Sequence, residues 1–327
     1  MQVSIKHLRL KSPLMTASGT SGHSNEIERL QTAPETISSL GAFVTKGITL
    51  EPREGHTGFR IVETRTGLLN SIGLQNQGVK RFVQEELPAL VKFDLPVIVN
   101  ISGSTIKEFG EIAAYLSSSE LSELIAGIEV NVSCPNLKQG GVAFGTDPKM
   151  VRRIVKSVRG RIDSRLLLIT KLTPNVTDIT LPARAAIEGG TDALSMINTL
   201  RGMAINIDTC KPYLGNVTGG LSGPAIKPVG IFMVYECFQK IPECNKGKIP
   251  IIGIGGISTW IDALEYIMAG ATAVGIGTAW FVNPDIFQTV YSGIEKYVDK
   301  HGVNVSDLIG KAHNSKSPSP AFSQYEL

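Results

Sequence analysis

Short apolar runs alternate along the chain with longer amphipathic ones. The short runs are "PLMTA" (13–17), "FVTKG" (43–47), "VIVNI" (97–101), "IEVNV" (128–132), "LLLITK" (166–171), "ALSMIN" (193–198), "IPIIGIGG" (249–256) and "AVGIGTA" (273–279). Apolar residues at consecutive positions over so few residues predict strands buried on both faces, as in a parallel sheet. Between them the apolar spacing lengthens to that of a helix. "STIKEFGEIAAYL" puts Ile106, Phe109, Ile112, Ala113 and Leu116 on one face, behind Thr105 and Glu108 at capping-box spacing. "DPKMVRRIVKSV" predicts an N-cap at Asp147 with Pro148 at the first helical position, and "NPDIFQTVYSGI" repeats the device with Asn283 and Pro284. "STWIDALEYIMAG" ends at Gly270, a residue type suited to helix termination.

The order is strand, helix, strand, helix throughout. About eight strand candidates in 327 residues predict an α/β fold, a (β/α)8 TIM barrel rather than an open doubly wound sheet. Residues 48–80 and 200–227 break the rhythm and predict hairpins or loops inserted at the C-terminal face of the strands, where binding loops are found. The expected organisation is one barrel domain over 1–312 and a polar tail over 313–327.

The strand ends carry the chemistry. The runs finish in Ala17-Ser18, Lys46, Asn100, Asn131, Lys171, Asn198, Gly255-Gly256 and Gly277-Thr278. Turn preference explains one asparagine; it does not explain three asparagines and two lysines inside otherwise apolar runs, because a lysine buried without a partner is costly. Barrel active sites form at this end of the strands. After each of the last two strands a glycine turn leads into a helix, and N–H groups there favour an anion such as phosphate. "GGLSGPAIKP" (219–228), with Gly223, adds further donors. "GIGGIS" lacks the G-x-G-x-x-G spacing of a dinucleotide fingerprint. In "VNVSCPN" (130–136) a buried strand stops at a thiol between two amides. Cys134 is either a small packing residue at a chain reversal or a group facing substrate.

Composition narrows the classes. Hydrophobic residues make up 42% and charged ones 19%, enough for a sizeable core and too apolar for disorder. A net charge of +3 is too mild to argue for nucleic acid or an anionic membrane as partner. No run has signal-peptide or membrane-span character, so the expected location is the cytoplasm. The four cysteines show neither C-x-x-C pairing nor metal spacing, and no metal site is expected. Cys210, Cys237 and Cys244 read as structural or exposed thiols, Asn76 as a turn residue, and the charges of 156–161 as solvated surface. None of His7, His23, His56, His301 and His313 lies in a core run.

"NVSCPN", "TKGITLEPREG" (45–55), "GLLNSIGLQNQG" (67–78) and "INTLRG" (197–202), taken together, resemble dihydroorotate dehydrogenase, over about residues 5–312. A cysteine at position 134 resembles the soluble class 1 enzymes. The class 2 enzymes use serine there, and their N-terminal extension has no room before Pro13. "TASGTSGH" (16–23) looks most like class 1B, the NAD-linked catalytic subunit. The resemblance implies one FMN per chain, with FAD and a [2Fe-2S] cluster on an electron-transfer partner, and a homodimer core of a heterotetramer. It implies FMN contacts from Ser18, Lys46, Asn100, Asn131, Lys171, Ile197, Gly223, Gly255, Gly256, Gly277 and Thr278. It implies substrate contacts from Lys46, Asn70, Ile72, Gly73, Leu74, Asn131, Asn136, Asn198 and Thr199, with Cys134 as base.

Oxidising dihydroorotate to orotate for pyrimidine biosynthesis removes a C5 proton and a C6 hydride, the second of which a flavin accepts. Asparagine amides suit a uracil-like ring because each donates and accepts. Spacing alone leaves Asn70 ambiguous and leaves Lys46 free to serve the substrate carboxylate, FMN or both. Other readings of the same residues are a fumarate-linked class 1A enzyme, a tRNA-dihydrouridine synthase, which would need a basic RNA-binding surface, and a lyase barrel with Lys171 as Schiff base.

Overall fold

The computed structural model describes residues 1–22, 37–133, 135–136 and 142–314. Eight parallel strands form one sheet: β1 Leu14–Thr16, β2 Phe43–Val44, β3 Val97–Ile101, β4 Ile125–Asn131, β5 Leu167–Lys171, β6 Ala193–Met196, β7 Ile251–Ile254 and β8 Ala273–Ile276. Each pairs with its sequence neighbours, and β8 returns to β1 through Val274↔Leu14 and Ile276↔Thr16. The β1–β2 seam closes through a parallel bridge, Met15↔Ala42. There the Thr16 hydroxyl does the work of a peptide group: Oγ1 accepts from Val44 N at 2.7 Å and donates to Val44 O at 3.0 Å. All eight runs fall where the apolar pattern puts them. The sheet is a (β/α)8 barrel, and β3, β5, β6, β7 and β8 are buried at every position.

Among the described residues, six α-helices of ten residues or more pack outside the strands: α1 Ile106–Ser118, α2 Pro148–Arg159, α3 Thr180–Gly189, α4 Lys227–Lys240, α5 Trp260–Ala269 and α6 Ile286–His301. Their starts correct two sequence-based expectations. Thr105 caps α1 by accepting from Glu108 N, but the Glu108 carboxylate takes Ser104 N at 2.7 Å, one residue short of the full box. α6 starts at Ile286 behind Asp285, not behind Asn283. Asn283 N bonds Ala279 O at 2.9 Å and so closes the short helix Ala279–Val282, while its side chain accepts from Asp285 N. Asp147 and Pro148 start α2 as expected, with Asp147 Oδ1 accepting from Lys149 N at 2.9 Å. One charge expected to be solvated is tied down: the Arg159 guanidinium bonds Asp192 at 2.9 Å and the Asp163 carbonyl at 3.0 Å.

Parts of both rhythm-breaking segments pair in one antiparallel sheet of four strands, Leu200–Gly202, Gly219–Ser222, Gly67–Asn70 and Ile61–Thr64 in that order, and Ile205–Asn206 pairs with Lys211–Pro212 in a separate hairpin. The loop after β2 and the loop after β6 are thus one structure. Its registers Gly220↔Asn70 and Leu200↔Leu221 bring Asn70 and the 197–202 segment to the same place. The tail from 315 onward lies outside the described residues.

Candidate active site

The strand registers dictate a polar layer at the C-terminal end of the barrel. Asn100 of β3 stands opposite Glu129 of β4, Asn131 opposite Lys171 of β5, and Lys171 opposite Ser195 of β6. Glu129 is 2% exposed and Asn100, Lys171 and Ser195 are also buried. Asn100 Nδ2 donates to Glu129 Oε1 at 2.6 Å, Ser195 Oγ donates to Glu129 Oε2 at 2.7 Å, and Lys171 Nζ lies 4.0 Å from Oε1. Taking two charges out of water costs several kcal/mol per ion and is offset only by such a network. The cost of burying Lys171 is therefore met by Glu129, a residue that sequence reasoning passed over. Its signal was an acid at the centre of "GIEVNV".

The layer is not satisfied internally. Asn100 Oδ1 and Ser102 Oγ are buried without a hydrogen-bond partner. Both border Gly47, whose absent Cβ would lie 3.0 Å from Asn100 Oδ1, 3.7 Å from Ser102 Oγ and 3.6 Å from the Leu74 side chain. Leu74, Asn100 and Ser102 therefore converge on Gly47, the residue after Lys46. Buried acceptors of this kind carry a penalty unless a ligand completes them.

A second cluster lies beside the first. Asn198 Nδ2 reaches Asn131 Oδ1 at 3.4 Å, which also accepts from Ser133 N at 3.0 Å. Asn70 Nδ2 donates to Gly220 O at 3.2 Å, and a Cβ on Gly220 would strike Thr199 Oγ1 at 2.0 Å. Asn70 and Thr199 thus meet across a glycine. Ile72 and Gly73 sit in the same loop, where Ile72 O accepts from His56 N at 3.1 Å and Gly73 packs against the His56 ring. Asn136 pairs through its backbone with Val142. Cys134 lies outside the described residues, between Ser133 and Pro135.

The glycine turns form the third part. Gly255 and Gly256 have φ of +129° and +71°, a region that suits only glycine well. A Cβ on Gly256 would fall 2.8 Å from Gly223 O and 2.9 Å from Lys227 N, so the turn after β7 meets the first turn of α4. A Cβ on Gly255 would touch Ile197 at 3.2 Å. Gly277 borders Ala17 of the β1 end, next to Ser18, and Thr278 Oγ1 donates to Ser222 Oγ at 2.7 Å. Gly253 is different: a Cβ there would strike the Tyr266 ring at 2.5 Å, so this glycine serves packing. Tyr266 is fully buried and donates to Gly255 O at 2.7 Å, which fixes the turn. Burial first, and the charges of Asp262 and Glu265 second, push its hydroxyl above the phenol range, so it stays a donor.

Helix α5 follows this turn and opens with a capping box. The Thr259 side chain accepts from Asp262 N, and Asp262 Oδ2 accepts from Thr259 N at 2.8 Å and Ser258 N at 2.9 Å. Asp262 Oδ1 and Glu265 Oε2 each lie 2.6 Å from Lys227 Nζ. Burial alone would raise the Asp262 pKa, but hydrogen bonds from Lys227, Ser258 and Thr259 outweigh it and lower it. That contribution to stability is present above the ordinary aspartate pKa and fades as pH falls through the lowered value. Lys227 is raised, its bonds to Asp262 and Glu265 outweighing burial, so its share is lost only as pH rises through the raised value. Between these limits Lys227 is engaged by two carboxylates. Thr259→Ala is expected to lower unfolding free energy by about 1 kcal/mol, read as a shift in the urea midpoint of the apoprotein.

These parts fit a phosphorylated flavin: a glycine cradle at helix N-termini for phosphate, a buried cation with one orphaned amide oxygen and one orphaned hydroxyl for the ring, and amides beside it for substrate. Among the described residues no group of three or more His, Cys, Asp or Glu is placed to hold a metal ion. Cys237 and Cys244 are buried, and burial pushes the Cys244 thiol up to about 12. Cys210 is exposed.

The dihydroorotate dehydrogenase family model matches residues 1–298. The catalytic subunit of dihydroorotate dehydrogenase B (NAD(+)) from Geotalea daltonii is 50% identical over 311 residues, 95% of this chain and 97% of that one. The subunits of the same name from Pelobacter propionicus and Thermoanaerobacter sp. are each 48% identical over 311 residues, covering 95% of this chain and 97% and 98% of theirs. These likenesses span nearly the whole chain, and the barrel agrees with them: the chain belongs to the dihydroorotate dehydrogenase family.

Proposed function

We propose that this chain is the catalytic subunit of an NAD-linked dihydroorotate dehydrogenase that oxidises dihydroorotate to orotate in pyrimidine biosynthesis. The observation that carries the reading is the buried layer of Asn100, Glu129, Lys171 and Ser195 with two orphaned polar atoms beside it. The relatives' shared name supports the NAD linkage. Ser18, Ile197, Gly223, Gly255, Gly256, Gly277 and Thr278 hold FMN at its phosphate and ribityl end; Lys46, Asn100, Asn131 and Lys171 hold its ring. When bound, FMN supplies a two-electron acceptor for the substrate C6 hydrogen.

The residues of this chain do the rest. Lys46 pairs with the substrate carboxylate. Asn70, Asn131, Asn136, Asn198 and Thr199 offer amide and hydroxyl groups to the ring edges, where a uracil-like ring both donates and accepts. Ile72, Gly73 and Leu74 close over it. Cys134 removes the C5 proton. Electrons leave through a partner subunit that carries FAD and a [2Fe-2S] cluster, two such pairs assembling around a homodimer of this chain. The assembly works in the cytoplasm; among the described residues no helix is long and apolar enough to cross a membrane.

The test is made on the isolated chain reconstituted with FMN. It is expected to hold about one FMN, to bleach anaerobically with dihydroorotate, and to reduce NAD slowly until the partner is added. Protein that stays colourless after reconstitution would sink the flavin reading. Rapid NAD reduction by this chain alone would remove the need for a partner.

A further inference from the structure

We propose that Glu129 is a positioning residue that sets the reduction potential of the bound flavin by partly neutralising Lys171. The inference rests on the FMN reading above. Glu129 holds four strands together chemically: it sits on β4, accepts from Asn100 of β3 and Ser195 of β6, and faces Lys171 of β5. Its side chain is 2% exposed and that of Lys171 is 5% exposed, so water screens neither. A charge pair this dry acts at low effective dielectric, where its field reaches neighbouring groups far more strongly than at a surface.

The geometry is specific. Each carboxylate oxygen accepts one neutral donor, from Asn100 at 2.6 Å and Ser195 at 2.7 Å, while the ammonium stands off at 4.0 Å. Hydrogen bonds of ordinary length go to the neutral groups, and the cation is held at the edge of contact. Lys171 is therefore compensated but not consumed, and its N–H donors stay available to a ligand. Asn100 is aligned by the same carboxylate: with Nδ2 engaged, Oδ1 is the atom left buried without a partner. One acid thus fixes the orientation of the amide and the strength of the cation, both in the layer assigned to the flavin ring.

The sign follows from electrostatics. Two-electron reduction of a flavin adds negative charge to the ring, and nearby positive charge favours it. An anion beside Lys171 subtracts from that positive field. Removing the anion while keeping the shape raises the potential. Ser195 works the other way: without its hydroxyl one carboxylate oxygen loses its neutral donor, the anion is less spread, and the potential falls.

The experiment uses FMN-loaded full-length protein and measures the flavin midpoint by anaerobic equilibration with reference dyes, with FMN stoichiometry recorded for each variant. Glu129→Gln is expected to shift the reduction equilibrium at least tenfold towards the reduced form, which is ~30 mV for a two-electron couple. Ser195→Ala is expected to shift it a few-fold in the opposite direction. A residue that served stability alone would lower the melting temperature and leave the midpoint in place, so an unchanged or lowered midpoint in FMN-loaded Glu129→Gln overturns the proposal. If Glu129→Gln does not fold, Ser195→Ala decides, and a midpoint equal to wild type overturns it. Wild-type protein that takes up no FMN would instead refute the functional reading on which this rests.

Discussion

Cys134→Ser is expected to slow flavin reduction by dihydroorotate roughly 10²-fold or more, the usual scale of a general base, with FMN content and orotate binding near wild type. The substitution changes one atom and keeps the shape of the side chain. A thiol with a reference pKa near ~8.5 is partly ionised at neutral pH, and neighbouring cations raise that fraction. A serine hydroxyl is a far weaker acid, so little alkoxide is present to take the C5 proton. The residual rate of the variant should therefore climb towards alkaline pH. On either side of it Ser133 N is bonded to Asn131 Oδ1, and Pro135-Asn136 pairs with Val142-Ala143. The measurement is anaerobic stopped-flow bleaching of the flavin across pH. Equal rates for both proteins near pH 7 would mean that Cys134 is not the base and that the thiol merely packs at a chain reversal.

The barrel was legible because its signal is local. Each strand is an apolar run buried at nearly every position, and four of the six long outer helices announce themselves by periodicity or caps, so the alternation gives the fold although Thr180–Gly189 and Lys227–Lys240 were not read. The inserted sheet was less legible because its pairing is not local. Gly219–Ser222 is poor in strand formers and finds its partner at Gly67–Asn70, far away in sequence. A glycine-rich run reads as irregular until that partner is known. Helix starts failed in a different way. Asn283 followed by proline has the composition of a cap, yet the preceding short helix claims its backbone N–H and an Asx turn claims its side chain. Competition between neighbouring elements is invisible to a motif read one element at a time.

The candidate site divides along the same line. Lysines and asparagines at strand ends stand out because such residues are rare in buried runs. Glu129 and Ser195 stand level with Asn100 and Lys171 and look like tolerated exceptions, although they carry the hydrogen bonds that offset the burial of Lys171. Lys227, a cation in the same glycine-rich segment, has its ammonium engaged by Asp262 and Glu265. Residue type located the site, and only partner identity assigns roles within it.

Gly256→Ala should cost FMN affinity about 10²-fold or more while the barrel stays folded. Two effects add. The backbone there has φ +71°, where a side chain is strained by about 1–2 kcal/mol. The new Cβ would also lie 2.8 Å from Gly223 O and from Lys227 Cβ, and 2.9 Å from Lys227 N, so the turn after β7 and the start of α4 must separate. Those are the groups proposed to cradle phosphate, and a loss of about 2.7 kcal/mol there is a hundredfold in dissociation constant. Gly247→Ala is the control. Gly247 has nearly the same backbone, φ +67°, but a Cβ there meets nothing within 4 Å. It carries the strain without the collision and lies outside the residues assigned to FMN. Both variants should lose some stability as apoproteins; only Gly256→Ala should lose FMN, measured by fluorescence titration of the flavin into apoprotein. If Gly256→Ala binds FMN as tightly as wild type, the turn is tight for packing reasons, as at Gly253, and the phosphate must be held elsewhere.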